Sequence, residues 1–369
     1  MPGKAAIRAE AARLQAQLAG AVGGAQAIEA DILQPAETLL DLYGEDIRAR
    51  AYVTADPVRG ERMLRPDFTV PVVQMHMASG AEPARYTYAG EVFRRQESPE
   101  PGRPTEYMQV GLEVFDRADP AARDAEVFRA IAGALSPLRL KAAMGDIGLL
   151  AAAVSGLPLS EPRRAALMRH LWRPHRFKEL LERFAGRRPA PPARRALLAE
   201  VAARGAPAVI DAAGPAIGRR SRAEIATRLA ALAADAAEPP LPGRELALID
   251  DLLTVRAAPP DALSRLHDLS VDMPALEPAV ERLSARLEAL DAAGVDLDAV
   301  TFEASYGRTT MEYYDGFVFG LVAERAGLPP VATGGRYDAL TRQLGAGREI
   351  PAVGGVIRPA LVLELGGGA

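Results

Sequence analysis

Two runs of sequence joined by a loop decide the fold: RYTYAGEVFRRQ, residues 85–96, and TEYMQVGLEVFD, residues 105–116. Both runs are rich in aromatic and β-branched residues, which are typical of strands. The intervening ESPEPGRP, residues 97–104, contains three prolines and one glycine. Because these residues mark loops, we predict an antiparallel hairpin with a long tip.

Polar side chains on this hairpin form a candidate pocket. Gln109 and Glu113 are four residues apart, so on a strand they share a face with Gly111. The glycine leaves room for a small polar molecule, and Arg94 on the opposing strand presents a planar fork that suits a carboxylate. A ligand with one ammonium, one carboxylate and one side-chain donor would match this set. That description fits an amino acid.

A second polar pair lies upstream in LRPDFTVPV, residues 64–72. Asp67 and Thr69 alternate with Phe68 and Val70, so in an extended chain both polar groups point to one face. A buried carboxylate without a partner is costly. The sequence therefore predicts that Asp67 meets either a structural neighbour or a ligand.

Three tyrosines complete the candidate set: Tyr313 and Tyr314 in MEYYDGFVF, and Tyr337 in TGGRYDALTRQLG. Each polar group also has a structural explanation. Arg94 and Glu113 could form a cross-strand ion pair, the tyrosines could belong to the core, and GGRYD could be an ordinary turn. The residues alone leave both explanations open.

The order of strand-rich and helical segments predicts the architecture. Residues 1–150 and 245–369 contain the strand-like runs, whereas residues 151–244 are rich in Ala, Arg and Leu with helical spacing. We predict an α+β fold whose mainly antiparallel sheet is flanked by helices and interrupted by an inserted helical lobe. The arginines of that lobe are interpreted as a solvated helix face.

Composition excludes several classes of protein. The 369 residues are 49% hydrophobic and 25% charged, with a formal net charge of −4, as expected for a globular protein of two or three lobes. No cysteine is present and the four histidines lack a metal-ligand spacing, so we expect neither a metal nor another cofactor. No signal peptide, membrane span or strongly basic domain is evident, so we predict a cytoplasmic protein without a dedicated nucleic-acid surface.

Several segments resemble class II aminoacyl-tRNA synthetases. YAGEVFRRQ with GRPTEYMQVGLEVF resembles motif 2 in its histidyl-tRNA synthetase version. RPDFT, MEYYDGFVF and TGGRYDALTRQLG resemble the histidine-recognition segments of that enzyme, and PAVGG opens a stretch like motif 3. Pro35 in ILQPAETLLDL is similar to the motif 1 proline of the family's dimer interface. The resemblance implies a class II synthetase core and a homodimer.

The resemblance also implies a histidine site. It assigns the ammonium to Asp67, Thr69 and Gln109, the carboxylate to Arg94, the imidazole to Glu113 with Tyr314, and further lining to Tyr313 and Tyr337. Asp67 stands where the synthetase has glutamate, and Phe68 where it has glycine. These differences shorten the reach of the acid and narrow the pocket.

Other differences concern the cations that adenylate formation needs beside the phosphates of ATP. By the resemblance, Thr309 stands where the synthetase has an arginine, with Arg308 one step out of register. Leu361 stands at the motif 3 arginine, with Arg358 before it. The sequence stops after the motif 3-like stretch, without room for an anticodon-binding domain. We therefore expect no catalytic residues and no synthetase activity.

These features are similar to those of the ATP phosphoribosyltransferase regulatory subunits. That resemblance implies a non-catalytic homodimer that assembles with the short-form catalytic subunit and mediates allosteric feedback by histidine in histidine biosynthesis. One alternative is a synthetase paralogue that adenylates histidine or a related amino acid for an acceptor other than tRNA, with Arg308 and Arg358 as replacement cations. Another is a module that binds tRNA or a protein through the arginine-rich lobe.

Overall fold

A computed structural model describes residues 2–43, 47–96, 104–215, 218–308 and 313–366. The chain divides into two compact units, one comprising Met1–Ala153 with Asp251–Ala369 and the other comprising Val154–Asp250. All strands of the described residues belong to the first unit.

The elements alternate between helix and strand at both ends of the chain. Up to residue 156 they are α1 (Lys4–Ala21), β1 (Gln26–Ala27), β2 (Leu33–Pro35), α2 (Ala36–Tyr43), α3 (Ile47–Arg50), β3 (Val53–Asp56), β4 (Gly60–Leu64), α4 (Thr69–Ser79), β5 (Ala84–Phe93), β6 (Glu106–Phe115), α5 (Pro120–Ala134), β7 (Leu140–Asp146) and α6 (Ile147–Gly156). The middle of the chain contains α7 (Glu161–Met168), α8 (Pro174–Phe184), α9 (Pro192–Arg204), α10 (Ala206–Ala212), α11 (Arg222–Ala237) and α12 (Gly243–Thr254). The last part contains β8 (Arg256–Ala257), α13 (Pro259–Asp272), α14 (Glu277–Ala292), β9 (Val300–Glu303), β10 (Phe317–Ala323), β11 (Ala332–Arg336), α15 (Asp338–Leu344), β12 (Ala352–Ile357) and α16 (Pro359–Gly366), with short 3-10 helices at Pro274–Leu276 and Leu297–Ala299.

The main sheet of the first unit has nine strands among the described residues, in the order β1-β5-β6-β12-β11-β10-β7-β9-β8. Neighbouring strands are antiparallel except for the pairs β1 with β5 and β7 with β9. Ala84 lies opposite Phe115 and Phe93 opposite Glu106, so the predicted hairpin of β5 and β6 is confirmed. The mainly antiparallel α+β architecture is also as predicted.

Helix α5 covers one face of this sheet. Asp119 precedes the helix and its carboxylate accepts a hydrogen bond from the backbone N–H of Ala122 at 3.0 Å, a typical N-cap. The helix packs against α14 and β12, where Ile131 faces Gly355. Side chains alternate along a strand, so the residues on either side of Gly355 point to the opposite face. That opposite face carries the cavity described below.

Buried ion pairs fix α14 against α5 and the sheet. Arg286 donates from Nε to Asp124 at 2.7 Å and from Nη1 to Asp146 at 2.6 Å. Arg336 of β11 donates to the other oxygen of Asp124 at 2.7 Å. These side chains are almost fully buried, so removing one partner would leave an uncompensated charge in the interior.

One local prediction is wrong, and one of the structural alternatives is excluded. LRPDFTVPV is not extended, because β4 ends at Leu64 and α4 begins at Thr69, which places Asp67 in the connecting turn. GGRYD is not an isolated turn, because its glycines lie within β11. A Cβ atom at Gly335 would lie 2.6 Å from the backbone oxygen of Phe317, so glycine permits the close approach of β10 and β11.

Every regular element of the second unit is a helix among its described residues. Helix α11 begins with a capping box in which Ser221 and Glu224 each accept a hydrogen bond from the other's backbone N–H. Val209 of α10 and Leu229 of α11 are buried where these helices pack. Across the residues that the structure describes, no helix combines the length and apolarity needed to cross a membrane.

Candidate functional site

A cavity of about 300 Å³ lies on the sheet face opposite α5. Strand β6 contributes Tyr107 and Gln109, β11 contributes Thr333, and β12 contributes Val356. The other lining residues are Asp67, Thr69, Arg94, Arg95, Gln96, Pro104, Tyr313, Tyr314, Pro329, Pro330 and Arg358. This volume is at the lower end of the range for small-molecule sites.

The structure brings six of the eight predicted site residues to this lining: Asp67, Thr69, Arg94, Gln109, Tyr313 and Tyr314. It places Glu113 and Tyr337 beneath the lining, in the packed interior. The prediction that Gly111 floors an open pocket is wrong. The ring of Tyr88 covers this glycine, and a Cβ atom there would lie 2.1 Å from Tyr88 Cζ.

Asp67 provides a buried acceptor at the cavity. Its Oδ1 accepts a hydrogen bond from the backbone N–H of Val70 at 3.2 Å, which fixes the side chain at the start of α4. Its Oδ2 is buried and has no hydrogen-bond partner among the described residues. Burial raises the pKa of Asp67, and the charge of Arg94 opposes part of that rise. A cationic donor at Oδ2 would favour the ionised carboxylate.

Gln109 provides a second buried acceptor. The side chain is 1% exposed and lines the same cavity. Its Oε1 also lacks a hydrogen-bond partner within the described part of the chain. Buried acceptors without partners are rare and costly, so a ligand with N–H donors would satisfy both Gln109 and Asp67.

Arginines occupy another part of the lining. Arg94 donates from Nε to the backbone oxygen of Pro66 at 2.8 Å, which orients its guanidinium. The guanidinium carbons of Arg94 and Arg358 lie 5.8 Å and 5.0 Å from the ring centroid of Tyr107. Arg95 lines the cavity as well. The cavity therefore presents carboxylate and amide acceptors together with several cations, a combination that suits a zwitterion.

Glu113 holds the layer beneath the cavity together. Its Oε1 accepts hydrogen bonds from Thr69 and Tyr88, both at 2.9 Å, and its Oε2 accepts one from Tyr337 at 2.5 Å. Burial raises the pKa of Glu113 to about 7, although these three hydrogen bonds lower it in part. The carboxylate packs over Gly354, where a Cβ atom would lie only 1.5 Å from Oε2.

A short chain of hydroxyls connects this layer to the lining. Tyr313 donates to Thr69 Oγ1 at 3.2 Å, and Thr69 donates to Glu113. Tyr314 packs edge-on against Tyr313, and its own ring fills the space over Gly335. Burial raises the pKa of Tyr314, so its phenol remains protonated near neutral pH. The two tyrosines and Thr69 thus pack together as one wall of the cavity.

The predicted replacement cations lie in different places. Arg358 lines the cavity, whereas Arg308 is absent from the lining, and burial lowers the pKa of Arg308 to about 10. Thr309 is outside the described residues. Leu361 is buried in α16.

In the described residues, no group of three or more carboxylates and histidines is arranged to hold a metal ion.

Tyr107, Thr333 and Val356 also line the cavity, although they were not predicted from the sequence. Tyr107 lies two positions before Gln109 on the same strand, so alternation along β6 could have identified it. Thr333 and Val356 are paired across β11 and β12. No local signal in the sequence indicates that pairing.

Comparisons with known structures identify the fold. The family model of histidyl-tRNA synthetase matches residues 2–258 and 226–360. The structure of an ATP phosphoribosyltransferase regulatory subunit/histidyl-tRNA synthetase from Bacillus halodurans C is similar, with a TM-score of 0.67 at 21% identity over 97% of this chain and 79% of that chain. A histidine–tRNA ligase subunit from Alicyclobacillus acidocaldarius gives a TM-score of 0.58 at 23% identity over 99% and 95%. The fold is that of a class II synthetase core of the histidyl type.

Comparison with curated relatives identifies the family. The ATP phosphoribosyltransferase regulatory subunit of Brucella anthropi is 34% identical over 352 residues, which span 89% of this chain and 90% of the relative. The protein of the same name from Brucella canis is 33% identical over 347 residues, with the same coverage. The chain belongs to the family of ATP phosphoribosyltransferase regulatory subunits, which confirms the resemblance noted in its sequence.

Proposed function

We propose that this chain is a non-catalytic regulatory subunit that short-form ATP phosphoribosyltransferase requires for activity and for feedback control by histidine. Family membership supports the regulatory part of the proposal. The observation that carries the histidine part is the pair of buried acceptor oxygens without partners, on Asp67 and Gln109, in a cavity that also contains Arg94. Acceptors and a guanidinium at one small site match the ammonium and carboxylate of a free amino acid.

In the proposed complex the histidine ammonium donates to Asp67 and Gln109, and its carboxylate accepts from Arg94. The imidazole lies against Tyr313 and Tyr314. Glu113, Tyr337 and Thr69 support this arrangement through the hydrogen bonds beneath the lining. Glu113 therefore influences the imidazole side of the site from below, with Thr69 between it and the cavity.

Binding becomes regulation if histidine favours one of two states of the assembly. A ligand shifts such an equilibrium only by its difference in affinity for the two states. We propose that the histidine-bound form holds the catalytic subunit in a less active state than the free form, in a hetero-oligomer that works in the cytoplasm. Histidine affinity and inhibition would then be linked reciprocally.

The test measures condensation of ATP with phosphoribosyl pyrophosphate by the short catalytic subunit of the same organism. We expect this chain to switch the activity on and histidine to switch it off. Asp67→Asn should keep the activation and lose most of the histidine response, because it removes the charge that pairs with the ammonium. A catalytic subunit that is indifferent to this chain would refute the regulatory assignment, whereas activation that histidine leaves unchanged would refute only the histidine site.

We also propose a homodimer formed through the small sheet of β2, β4 and β3. Ile32, Leu33 and Val53 on or beside this sheet are each more than 40% exposed, which is unusual for clustered large apolar residues. Leu33→Glu should convert the dimer to monomers in sedimentation velocity, whereas Val271→Glu, at an exposed apolar residue of α13, is the matched control. A monomeric native protein would contradict the proposal.

One observation favours a second candidate, a paralogue that adenylates histidine or a related amino acid. Arg358 lies on the lining of the same cavity, where it could meet a phosphate. This function predicts histidine-dependent exchange between ATP and pyrophosphate that Arg358→Ala abolishes. Absence of exchange in the native protein would eliminate this candidate.

A further inference from the structure

The second unit contains a cavity of about 340 Å³ that no part of the proposed function uses. Four helices each contribute one arginine to its lining: Arg163 from α7, Arg183 from α8, Arg194 from α9 and Arg228 from α11. Asp235 is the acidic residue of the lining. We refer to this cavity as the arginine cavity.

Two of these arginines are held by carboxylates. Arg163 donates from Nε to Asp235 Oδ1 at 2.8 Å and lies 3.1 Å from Glu238 Oε2. Arg194 donates from Nη2 to Asp235 Oδ2 at 2.5 Å. Burial alone would raise the pKa of Asp235, but the hydrogen bond and charge of Arg163 and the charge of Arg194 lower it overall. Asp235 is therefore ionised, and its two oxygens orient Arg163 and Arg194 at the cavity.

The other two arginines have no ion pair among the described residues. Arg183 stacks on Phe184, with its guanidinium carbon 5.1 Å from the ring centroid, and its buried Nε has no hydrogen-bond partner. Arg228 is exposed at the rim and makes no hydrogen bond within the described chain. Four guanidinium groups thus face the two carboxylates of Asp235 and Glu238. The positive charges therefore exceed the negative ones by two, and Asp235 offsets only part of the charge around Arg183.

This excess of charge costs free energy when the cavity is empty. Burial lowers the pKa of Arg183, and the neighbouring charge of Arg194 lowers it further, although the charge of Asp235 opposes part of this shift. Guanidinium groups remain charged in proteins, so the repulsion between them is relieved by an anion and not by loss of a proton. An anion with at least two negative charges would balance the cavity.

We propose that the arginine cavity binds the diphosphate group of a small molecule, either inorganic pyrophosphate or a nucleoside diphosphate or triphosphate. Guanidinium groups that approach from several directions can each donate two hydrogen bonds to the oxygens of a phosphate chain. Such a chain has more acceptors and more negative charge than a carboxylate. Apolar atoms of Ala166, Ala231 and Leu232 bound the cavity. A compact ligand fits such walls better than an extended nucleic-acid backbone does.

Calorimetric titration of the full-length chain with inorganic pyrophosphate at low salt tests the proposal. We expect one site per chain, with affinity at least tenfold weaker in Arg183→Ala and in Arg228→Ala. Arg195→Ala is the matched control, because this exposed arginine follows Arg194 on α9 but is absent from the lining, and we expect less than a twofold change. Arg228 is exposed, so its substitution should leave the fold intact.

The sheet cavity described above also contains arginines, so it is the alternative site at which pyrophosphate could bind. Arg358→Ala should leave pyrophosphate binding unchanged if the ligand occupies the arginine cavity. Binding that is lost in Arg358→Ala but kept in Arg228→Ala would overturn the proposal, as would the absence of pyrophosphate and ADP binding. Tighter binding of ADP than of pyrophosphate would identify a nucleoside as the source of the diphosphate group, and the reverse order would identify the inorganic ion.

Discussion

Replacing Glu113 with glutamine should change how the stability of the protein depends on pH. Burial raises the pKa of Glu113 to about 7 from an ordinary value of 4.5. Because the folded-state pKa is raised, the folded protein binds this proton more tightly than the unfolded chain does. The stability that this carboxyl contributes is therefore complete below about pH 4.5 and is lost as pH rises through 7.

The magnitude follows from the separation of these pKa values. Each pKa unit corresponds to about 1.4 kcal/mol, so the native protein should lose about 3 kcal/mol of stability from this group between pH 4 and pH 8. Glutamine resembles the protonated acid and does not titrate. Glu113→Gln should therefore lack this loss, although only its amide oxygen can accept hydrogen bonds from the neighbouring hydroxyls, and its NH2 group must donate to one of them instead.

Urea unfolding of the native protein and Glu113→Gln at several pH values measures this effect. We expect the difference between their free energies of unfolding to change by about 3 kcal/mol in favour of the variant from pH 4 to pH 8. Glu106→Gln on the same strand is the control, because Glu106 is exposed and should leave the native pH dependence unchanged. Parallel pH profiles for native protein and Glu113→Gln would refute the reasoning.

Three further predictions follow from contacts in the first unit. Asp67→Asn should weaken histidine binding by about 10- to 100-fold in calorimetry, because a hydrogen bond to a charged group contributes about 1.5–3 kcal/mol, and a change under twofold would contradict the site. Gly111→Ala should reduce the free energy of unfolding by about 1–3 kcal/mol because its Cβ would overlap Tyr88, whereas Gly133→Ala in α5, with nothing within 4 Å, should not destabilise the protein in the same urea titration. Arg286→Leu should cost about 3–5 kcal/mol in urea unfolding because buried Asp146 loses its cation and Asp124 keeps only Arg336, and a loss below about 1 kcal/mol would show that Asp146 finds another partner.

The hairpin was predictable from sequence because its determinants are local. Apolar alternation and the proline-rich loop specify β5 and β6, and the period of two places Gln109 on one face with Glu113. The six predicted residues on the lining were identified by their polar character and spacing, and the resemblance to known motifs assigned them to a histidine site. Neither route indicated that α4 begins at Thr69, because the apolar run there fits a strand as well as a helix.

The position of Glu113 was decided by tertiary structure. Its partners Thr69 and Tyr337 are separated from it by 44 and 224 residues, and Tyr88 reaches it only because β5 pairs with β6 in one register. The sequence indicated that Glu113 and Gly111 share one face of a strand. Only the tertiary structure shows that three hydroxyls donate hydrogen bonds to Glu113 and that the ring of Tyr88 covers Gly111.

The arginines of the helical unit show the same division between sequence and structure. By itself the sequence determined that the unit is helical and rich in arginine, because composition and period are local properties. Only the tertiary structure decided which four arginines meet at one cavity, because they come from four different helices. Helix packing makes neighbours of side chains that are distant in sequence. The net charge of the arginine cavity depends on this packing, which no local sequence pattern specifies.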